Sequence, residues 1–472
     1  MSAEAGSSGD SSRSSGGSPR SFGGSSRSFG EFVARAHAAG ELVVQPRMGM
    51  SSPITMRAGL LATKRAIATT VGTITLDSYT RVGDNASAAA AVGSGAELNG
   101  YPIVAHDLAT TRGVLEGIAG PEFPVQVRHG SARPEHIFRA LMAAGMHATE
   151  GGPVSYCLPY SREPLESSIS SWVRSCALLA ELGEGGGAEP HLETFGGCMM
   201  GQLCPPSLLI ALSVLECMFF VQHGLRSVSL SYAQQTNADQ DTEAVLALRR
   251  LAAERLHGVD AHIVVYAYMG VYPRTPDGAT RLLTEAARLA VRTGAARLIV
   301  KTVAEAYRIP SIADNVGALE TAAAAAAAER RGAAGTAGTA RGTAEDTGIY
   351  AEASALIDAV IELGPDLGAA LAQAFKAGYL DVPYCLHPDN ARRARSYIDT
   401  TGRLQWSSIG SMPIRPMIKP SGAVALTSAG LISSLSYVER KFDTASLGEY
   451  LALPVRPAGS AEPVRPAGSA ER

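Results

Sequence analysis

The chain is poor in charge. Of its 472 residues only 18% are Asp, Glu, Lys or Arg, and the formal net charge is −3. With no basic excess, neither nucleic acid nor an anionic membrane surface is indicated as a partner. Cysteine is scarce as well. The six, Cys157, Cys176, Cys198, Cys204, Cys217 and Cys385, form no Cys-x-x-Cys pair. That argues against a metal cluster and reads as reduced thiols in a cytoplasm. Long apolar runs are missing too: the longest, Leu208 to Val221, holds Ser213 and Glu216 and falls short of the ~20 residues of a membrane span, so it reads as a buried helix. The first residues do not read as a secretory signal. What is present, 46% hydrophobic side chains, suffices for one large core or two modest ones in a soluble protein with a small ligand.

Residues 1–30 are mostly Ser, Gly and Arg and read as a disordered tail, because they cannot bury enough apolar surface to offset chain entropy. From residue 31 to 328, apolar or β-branched runs that end in polar residues alternate with helix-like segments. The runs are Leu42 to Gln45, Thr69 to Leu76, Pro102 to Ala105, Val125 to Arg128, Met146 to Glu150, His191 to Phe195, Val228 to Tyr232, His262 to Tyr266 and Arg297 to Lys301. Such alternation predicts an α/β fold with a parallel sheet, closed as a (β/α)8 TIM barrel, with a doubly wound open sheet as the alternative. A barrel needs eight strands, so one run is surplus, and Pro102 to Ala105 and His191 to Phe195 are the candidates. Residues 329–348 read as a low-complexity linker and 349–453 as a C-terminal α+β region packed on the barrel. The repeat over 454–472 reads as a second disordered tail.

The polar residues gather at the ends of many different runs, where barrels keep their active sites. The stretch from Thr149 to Tyr160 is the centre of the pattern. It sets Glu150 at a strand end, then Gly151 and Gly152, which allow close approach of backbone to a ligand, then Tyr156 and Tyr160. Arg47, Arg81 and Arg128 sit at or just past the ends of three other runs. A guanidinium grips a carboxylate with a planar fork of donors, so three at one mouth point to a substrate with two carboxylates, leaving Glu150 to meet an amine. A single arginine would more often be an ordinary salt bridge. His129 is suited to holding a carboxylate or moving a proton, or serves as a structural donor. Lys301 and Glu305 would share a face if a helix starts at once, to bind ribose hydroxyls or form an ion pair. A lysine ending an apolar run also suits a Schiff-base lyase or aldolase.

Gln45-Pro46-Arg47, Asp77 to Arg81, Leu98-Asn99-Gly100, Arg128-His129-Gly130, Glu150 to Tyr160 and Val300-Lys301-Thr302 together resemble the large (E) subunit of glutamate mutase. The resemblance runs in order from about residue 40 to 320 and continues through Asp381 to Pro388. This family, also called methylaspartate mutase, comprises adenosylcobalamin-dependent radical isomerases of glutamate metabolism. It implies a TIM barrel that interconverts L-glutamate, or a related amino dicarboxylate, with 3-methylaspartate. By the resemblance, Arg47, Arg81 and Arg128 bind the carboxylates, His129, Tyr156 and Tyr160 add hydrogen bonds, and Glu150 holds the amino group. Glu150 and His129 are then the catalytic candidates. Gly49, Asn99, Pro159, Tyr272, Lys301, Glu305 and Ile309 are implied to line the coenzyme, with Lys301 and Glu305 near its ribose. The cobalamin signature Asp-x-His-x-x-Gly is missing here, since Asp260-Ala261-His262 is followed by Ile263, Val264 and Val265. In the family that motif belongs to a small cobalamin-binding subunit, which is therefore the implied partner of a self-associating large subunit in a heterotetramer. The rival readings are a lyase using Lys301 and a non-catalytic dicarboxylate-binding barrel.

Overall fold

A computed structural model describes residues 28–184, 187–199, 203–335, 345–417 and 427–452. Eight strands form one parallel sheet: β1 (Val43–Gln45), β2 (Gly72–Thr75), β3 (Val125–Arg128), β4 (Ala148–Gly151), β5 (His191–Thr194), β6 (Ser227–Ala233), β7 (Asp260–Tyr266) and β8 (Arg297–Ile299). Neighbours in sequence are neighbours in space, and β8 returns to pair with β1, Val44 opposite Leu298. Val44 also bridges to Thr70, with its N–H donating to the Thr69 carbonyl at 2.9 Å, which brings β1 back beside the entry to β2. The fold is a (β/α)8 barrel, and the open sheet is set aside.

The surplus run is Pro102 to Ala105. It forms a turn behind Tyr101, which adds a single parallel bridge to Leu76. Proline supplies no ladder donor, and four residues without a partner edge do not make a strand. The other doubtful run is β5, fully buried and bonded on both sides.

Period-two alternation sends each strand's side chains to opposite faces. Outward residues such as Val127, Leu192, Val228 and Leu298 join the core shared with the helices. Inward ones are unusually polar: Gln45, Gln126, His191, Glu193, Ser229 and Arg297 hydrogen-bond across the barrel. The helix Pro206–Gln222 is buried along nearly its whole length, since the helix Ile349–Ile361 packs on its outer side. This is the apolar run that was too short for a membrane. Among the described residues no helix is long and apolar enough to cross one.

The barrel floor is closed by the helix Phe29–Ala38. Ser28 and Glu31 cap it reciprocally, the Ser28 hydroxyl accepting from the Glu31 N–H at 3.1 Å and the Glu31 carboxylate from the Ser28 N–H at 2.9 Å. Ser28 to Gly30, read with the tail, are thus part of the folded chain. Gly30 lies so close to the strand ends that a Cβ there would stand 2.3 Å from Ser227 Oγ. The rest of that tail, residues 1–27, and the repeat tail lie outside the described residues. The helix Ile312–Gly335 runs into the stretch read as a linker, as its alanines favour. Residues 336–344 lie outside the described residues, and the chain resumes at Glu345, just before Thr347, whose N–H and hydroxyl both donate to Glu243.

Candidate active site

At the carboxyl ends of the strands a buried cluster joins four strands. Arg128, last residue of β3, places Nη2 2.7 Å from Glu150 on β4, and its Nη1 donates to the Tyr266 hydroxyl at 3.0 Å. Glu193 on β5 lies 3.7 Å from the same guanidinium. The Tyr266 hydroxyl, at the end of β7, touches both carboxylates: 2.9 Å from Glu150 Oε2 and hydrogen-bonded to Glu193 Oε1. Tyr156 donates to the other Glu150 oxygen. In this structure Glu150 is paired with Arg128.

The two carboxyls respond to burial differently. Desolvation pushes the Glu150 carboxyl above its ordinary value, against the pull of Arg128. The same desolvation acts on Glu193, but Arg297 and Arg128 outweigh it and hold that carboxyl below the ordinary value. His129 stands beside the cluster, edge-on to Tyr156 and stacked on Trp172. Burial, reinforced by His136 and Arg81, lowers its pKa to about 3, so the ring is neutral at ordinary pH. Its Nδ1 accepts from the Ser131 N–H at 3.0 Å, which puts the proton on Nε2. That Nε2 is buried and has no hydrogen-bond partner among the described residues.

The glycines have another purpose than the one their sequence suggested. A Cβ on Gly151 would meet Trp172 and Tyr156 at 2.5 Å, and one on Gly152 would meet the Glu216 carboxylate at 2.1 Å. They admit protein side chains rather than a ligand. Glu216, from the buried helix, accepts from the N–H groups of Val154 and Ser155 at 3.1 and 2.8 Å, and from the hydroxyls of Ser155 and Thr194 at 2.9 and 2.6 Å. It pins down the loop that carries Tyr156 and Tyr160. Burial raises its pKa to about 7, although those donors pull the other way.

The remaining sequence-predicted residues stand around the rim. A cavity of about 380 Å³ is lined by Arg47, Gly49, Arg81, Asn99, Glu305 and Ile309. A second, of about 1010 Å³, is bordered by Arg81, Pro159 and Tyr160. Arg81 follows Asp77, whose carboxylate caps the short helix Ser78–Val82 by accepting from the N–H groups of Tyr79 and Thr80. Arg47 Nη1 lies 3.8 Å from Met269 Sδ. Among the described residues neither Arg47 nor Arg81 pairs with a chain carboxylate, and the buried Arg81 Nε has no partner. Lys301 and Glu305 do pair, at 3.3 Å, although a turn rather than a helix joins them. The Lys301 ammonium also sits 5.2 Å over the ring of Tyr272, and burial lowers its pKa against the pull of Glu305. No group of three His, Cys, Asp or Glu among the described residues could hold a metal ion.

Sequence reasoning missed Glu193, Tyr266, Arg297 and Glu216. The available signal was charge inside otherwise apolar runs: Glu193 and Arg297 occupy two such runs with opposite sign, as buried partners must.

The chain matches the family model for the methylaspartate mutase E chain (MutE) over residues 24–430. It is similar to the glutamate mutase epsilon subunit of Halobacterium salinarum, with 32% identity over 353 residues covering 72% of this chain and 71% of that protein. The glutamate mutase epsilon subunit of Desulfitobacterium hafniense is 30% identical over 357 residues, 73% of this chain and 72% of its own. That of Haloarcula marismortui is 30% identical over 407 residues, 82% and 81%. With a match spanning most of its length, this chain belongs to the methylaspartate mutase E chain family, and it is an isomerase of the mutase class.

Proposed function

We propose that this chain is the large, substrate-binding subunit of a coenzyme B12-dependent mutase that interconverts L-glutamate and (2S,3S)-3-methylaspartate. It would hold adenosylcobalamin jointly with a small cobalamin-binding subunit, and self-associate in a cytoplasmic heterotetramer. The observation that carries this reading is the pair of rim guanidiniums, Arg47 and Arg81, without carboxylate partners among the described residues, beside a buried Arg128–Glu150 pair. Two carboxylates and one ammonium on a single small molecule complement that arrangement. Family membership favours it over a Schiff-base lyase or a non-catalytic barrel.

In this reading Arg47, Arg81 and Arg128 grip the two carboxylates, and Glu150 exchanges Arg128 for the ammonium. Neutral His129 donates from Nε2 to a carboxylate oxygen and does not act as a cation. Tyr156 steadies Glu150, and Tyr160 closes the site from the rim. Gly49, Asn99, Pro159, Tyr272, Lys301, Glu305 and Ile309 would meet the coenzyme. The fit is supported by Tyr272, whose buried hydroxyl has no partner among the described residues and lies beside the Lys301–Glu305 pair, leaving donors and an acceptor for ribose hydroxyls. Bound there, adenosylcobalamin would supply the radical chemistry of the rearrangement. The chain's own task is to orient substrate and exclude water.

An anaerobic assay of the chain with a small subunit and adenosylcobalamin, omitting each in turn, tests the reading. Conversion of L-glutamate to 3-methylaspartate that needs all three supports it, and no conversion although both bind refutes it. Arg128→Lys should lower kcat/KM about a hundredfold, since a point charge cannot replace a bidentate fork. Near-normal kinetics would remove Arg128 from the clamp.

A further inference from the structure

Arg128 is claimed by two carboxylates that are anchored very differently. Glu150 is held by Tyr156, which belongs to the loop at the mouth, by Tyr266 and by Arg128. Glu193 is locked from beneath. Its Oε2 takes Arg297, together with Ser229 Oγ and Gln126 Nε2, each at 3.3 Å, and its Oε1 takes Tyr266. These partners come from β3, β6, β7 and β8, and the side chain is fully buried. Arg297 is in turn fixed by Gln45 and by Ser229 at 3.0 Å. Glu193 therefore cannot follow a ligand, whereas Glu150 faces the loop and the mouth.

The Tyr266 hydroxyl carries one proton between the two carboxylates while accepting from Arg128 at 3.0 Å. Two guanidiniums and two carboxylates leave the cluster neutral. A ligand carboxylate and ammonium entering together keep it so, which avoids burying an unpaired charge.

We infer that Glu193, with Tyr266, is the positioning pair that keeps Arg128 in place when the substrate's ammonium draws Glu150 away from it. This rests on the amino dicarboxylate reading above. Before binding, Arg128 and Glu150 neutralise each other. On binding, that one ion pair is exchanged for two, Arg128 with a ligand carboxylate and Glu150 with the ammonium. Only a second carboxylate outside the exchange can hold the guanidinium still throughout. Without Glu193, Arg128 stays bound to Glu150 and competes with both ends of the ligand.

The test uses holoenzyme reconstituted from the full chain, the small subunit and adenosylcobalamin. KM and kcat for L-glutamate are measured beside Ki for glutarate, the same dicarboxylate without the amine, in wild type, E193Q, E193D and Y266F. Glu193→Gln should raise KM at least about tenfold while kcat changes less than about threefold, because binding rather than the chemical step is impaired, and Ki for glutarate should rise distinctly less, since without an ammonium Glu150 stays with Arg128. Glu193→Asp should recover part of the loss, and Tyr266→Phe should raise KM about threefold. A fall in kcat with KM at its wild-type value overturns the inference, as does an equal rise in KM and Ki, which would show that Glu193 acts without the ammonium. If E193Q fails to fold, Y266F decides alone, and unchanged constants there refute the pair. A wild-type enzyme that does not convert L-glutamate although the small subunit and adenosylcobalamin bind brings down the proposed function itself, a result separable from wild-type KM in every variant.

Discussion

Both ends of the barrel are lined with polar side chains, but they are settled in different ways. At the floor His191 gives each ring nitrogen a serine hydroxyl, Ser227 at 2.9 Å and Ser229 at 3.0 Å, and stacks between Phe29 and His262. Above it Gln45 donates to Thr73 and Gln126, and Arg297 meets Glu193. Among the described residues, the buried atoms left over there are Arg297 Nε and His147 Nε2. At the mouth Thr75 Oγ1, Arg81 Nε, His129 Nε2 and Tyr272 Oη are all buried and unpartnered. Since an unmade hydrogen bond in the interior costs more than a made one gains, the floor reads as structure and the mouth as a place that awaits a ligand.

The sharpest way to break this contrast is at Arg297. Its guanidinium is fully buried, and it is the charge that lets Glu193 remain ionised inside the barrel. Arg297→Met keeps an apolar stem but strands that carboxylate. Stability should fall by about 3–5 kcal/mol, the usual result of removing one partner of a buried pair. Urea denaturation of the full chain measures it. A loss under about 1 kcal/mol would mean that the floor pair is not structural.

A smaller effect, of a different kind, is expected at Glu216, where satisfaction of hydrogen bonds comes with an ionisation cost. Burial raises this carboxyl to about 7, so its contribution to stability is present at acid pH and is lost as pH rises through about 7. Glutamine can accept the two backbone N–H groups through its oxygen and donate to the Ser155 and Thr194 hydroxyls, but it does not titrate. Between pH 5 and 8 the stability of Glu216→Gln should therefore gain on wild type by roughly 2–3 kcal/mol. Parallel pH profiles would show that Glu216 titrates normally.

The same contrast explains what the sequence made legible. Strand positions were readable because apolar, β-branched runs are dictated by packing on the helices, and the barrel because polar residues ended so many of them. The mouth residues could be named because each follows such a run. What could not be read was pairing. Glu193 and Arg297 stand 104 residues apart, and nothing local says that closure brings them together. For the same reason Arg128 read as a free clamp when Glu150 already neutralises it. Gly151 and Gly152 read as room for a ligand because the side chains that occupy the space, Trp172 and Glu216, come from distant helices. Sequence gives residue types at strand ends, whereas charge balance belongs to the closed barrel.

The smallest expected effect is the most discriminating, because it asks whether an unpartnered group at the mouth serves the fold at all. The ring of Tyr272 is buried against Tyr268, Leu282 and Val438 and lies under the Lys301 ammonium. Its hydroxyl bonds to nothing among the described residues. Tyr272→Phe keeps the ring, its packing and its hold on the cation while deleting only that oxygen. No hydrogen bond is lost, so stability should change by less than about 0.5 kcal/mol, and could rise, because a buried hydroxyl without a partner is a liability. A comparable tyrosine in the partnered set, Tyr232, whose hydroxyl donates to Asp241 at 2.8 Å, should cost about 1–2 kcal/mol on the same change. Thermal denaturation of the two variants beside wild type gives the comparison directly. Equal losses would erase the distinction between partnered and unpartnered hydroxyls. A neutral Tyr272→Phe whose affinity for adenosylcobalamin is nonetheless weakened in the reconstituted complex would identify the oxygen as one kept for the ligand.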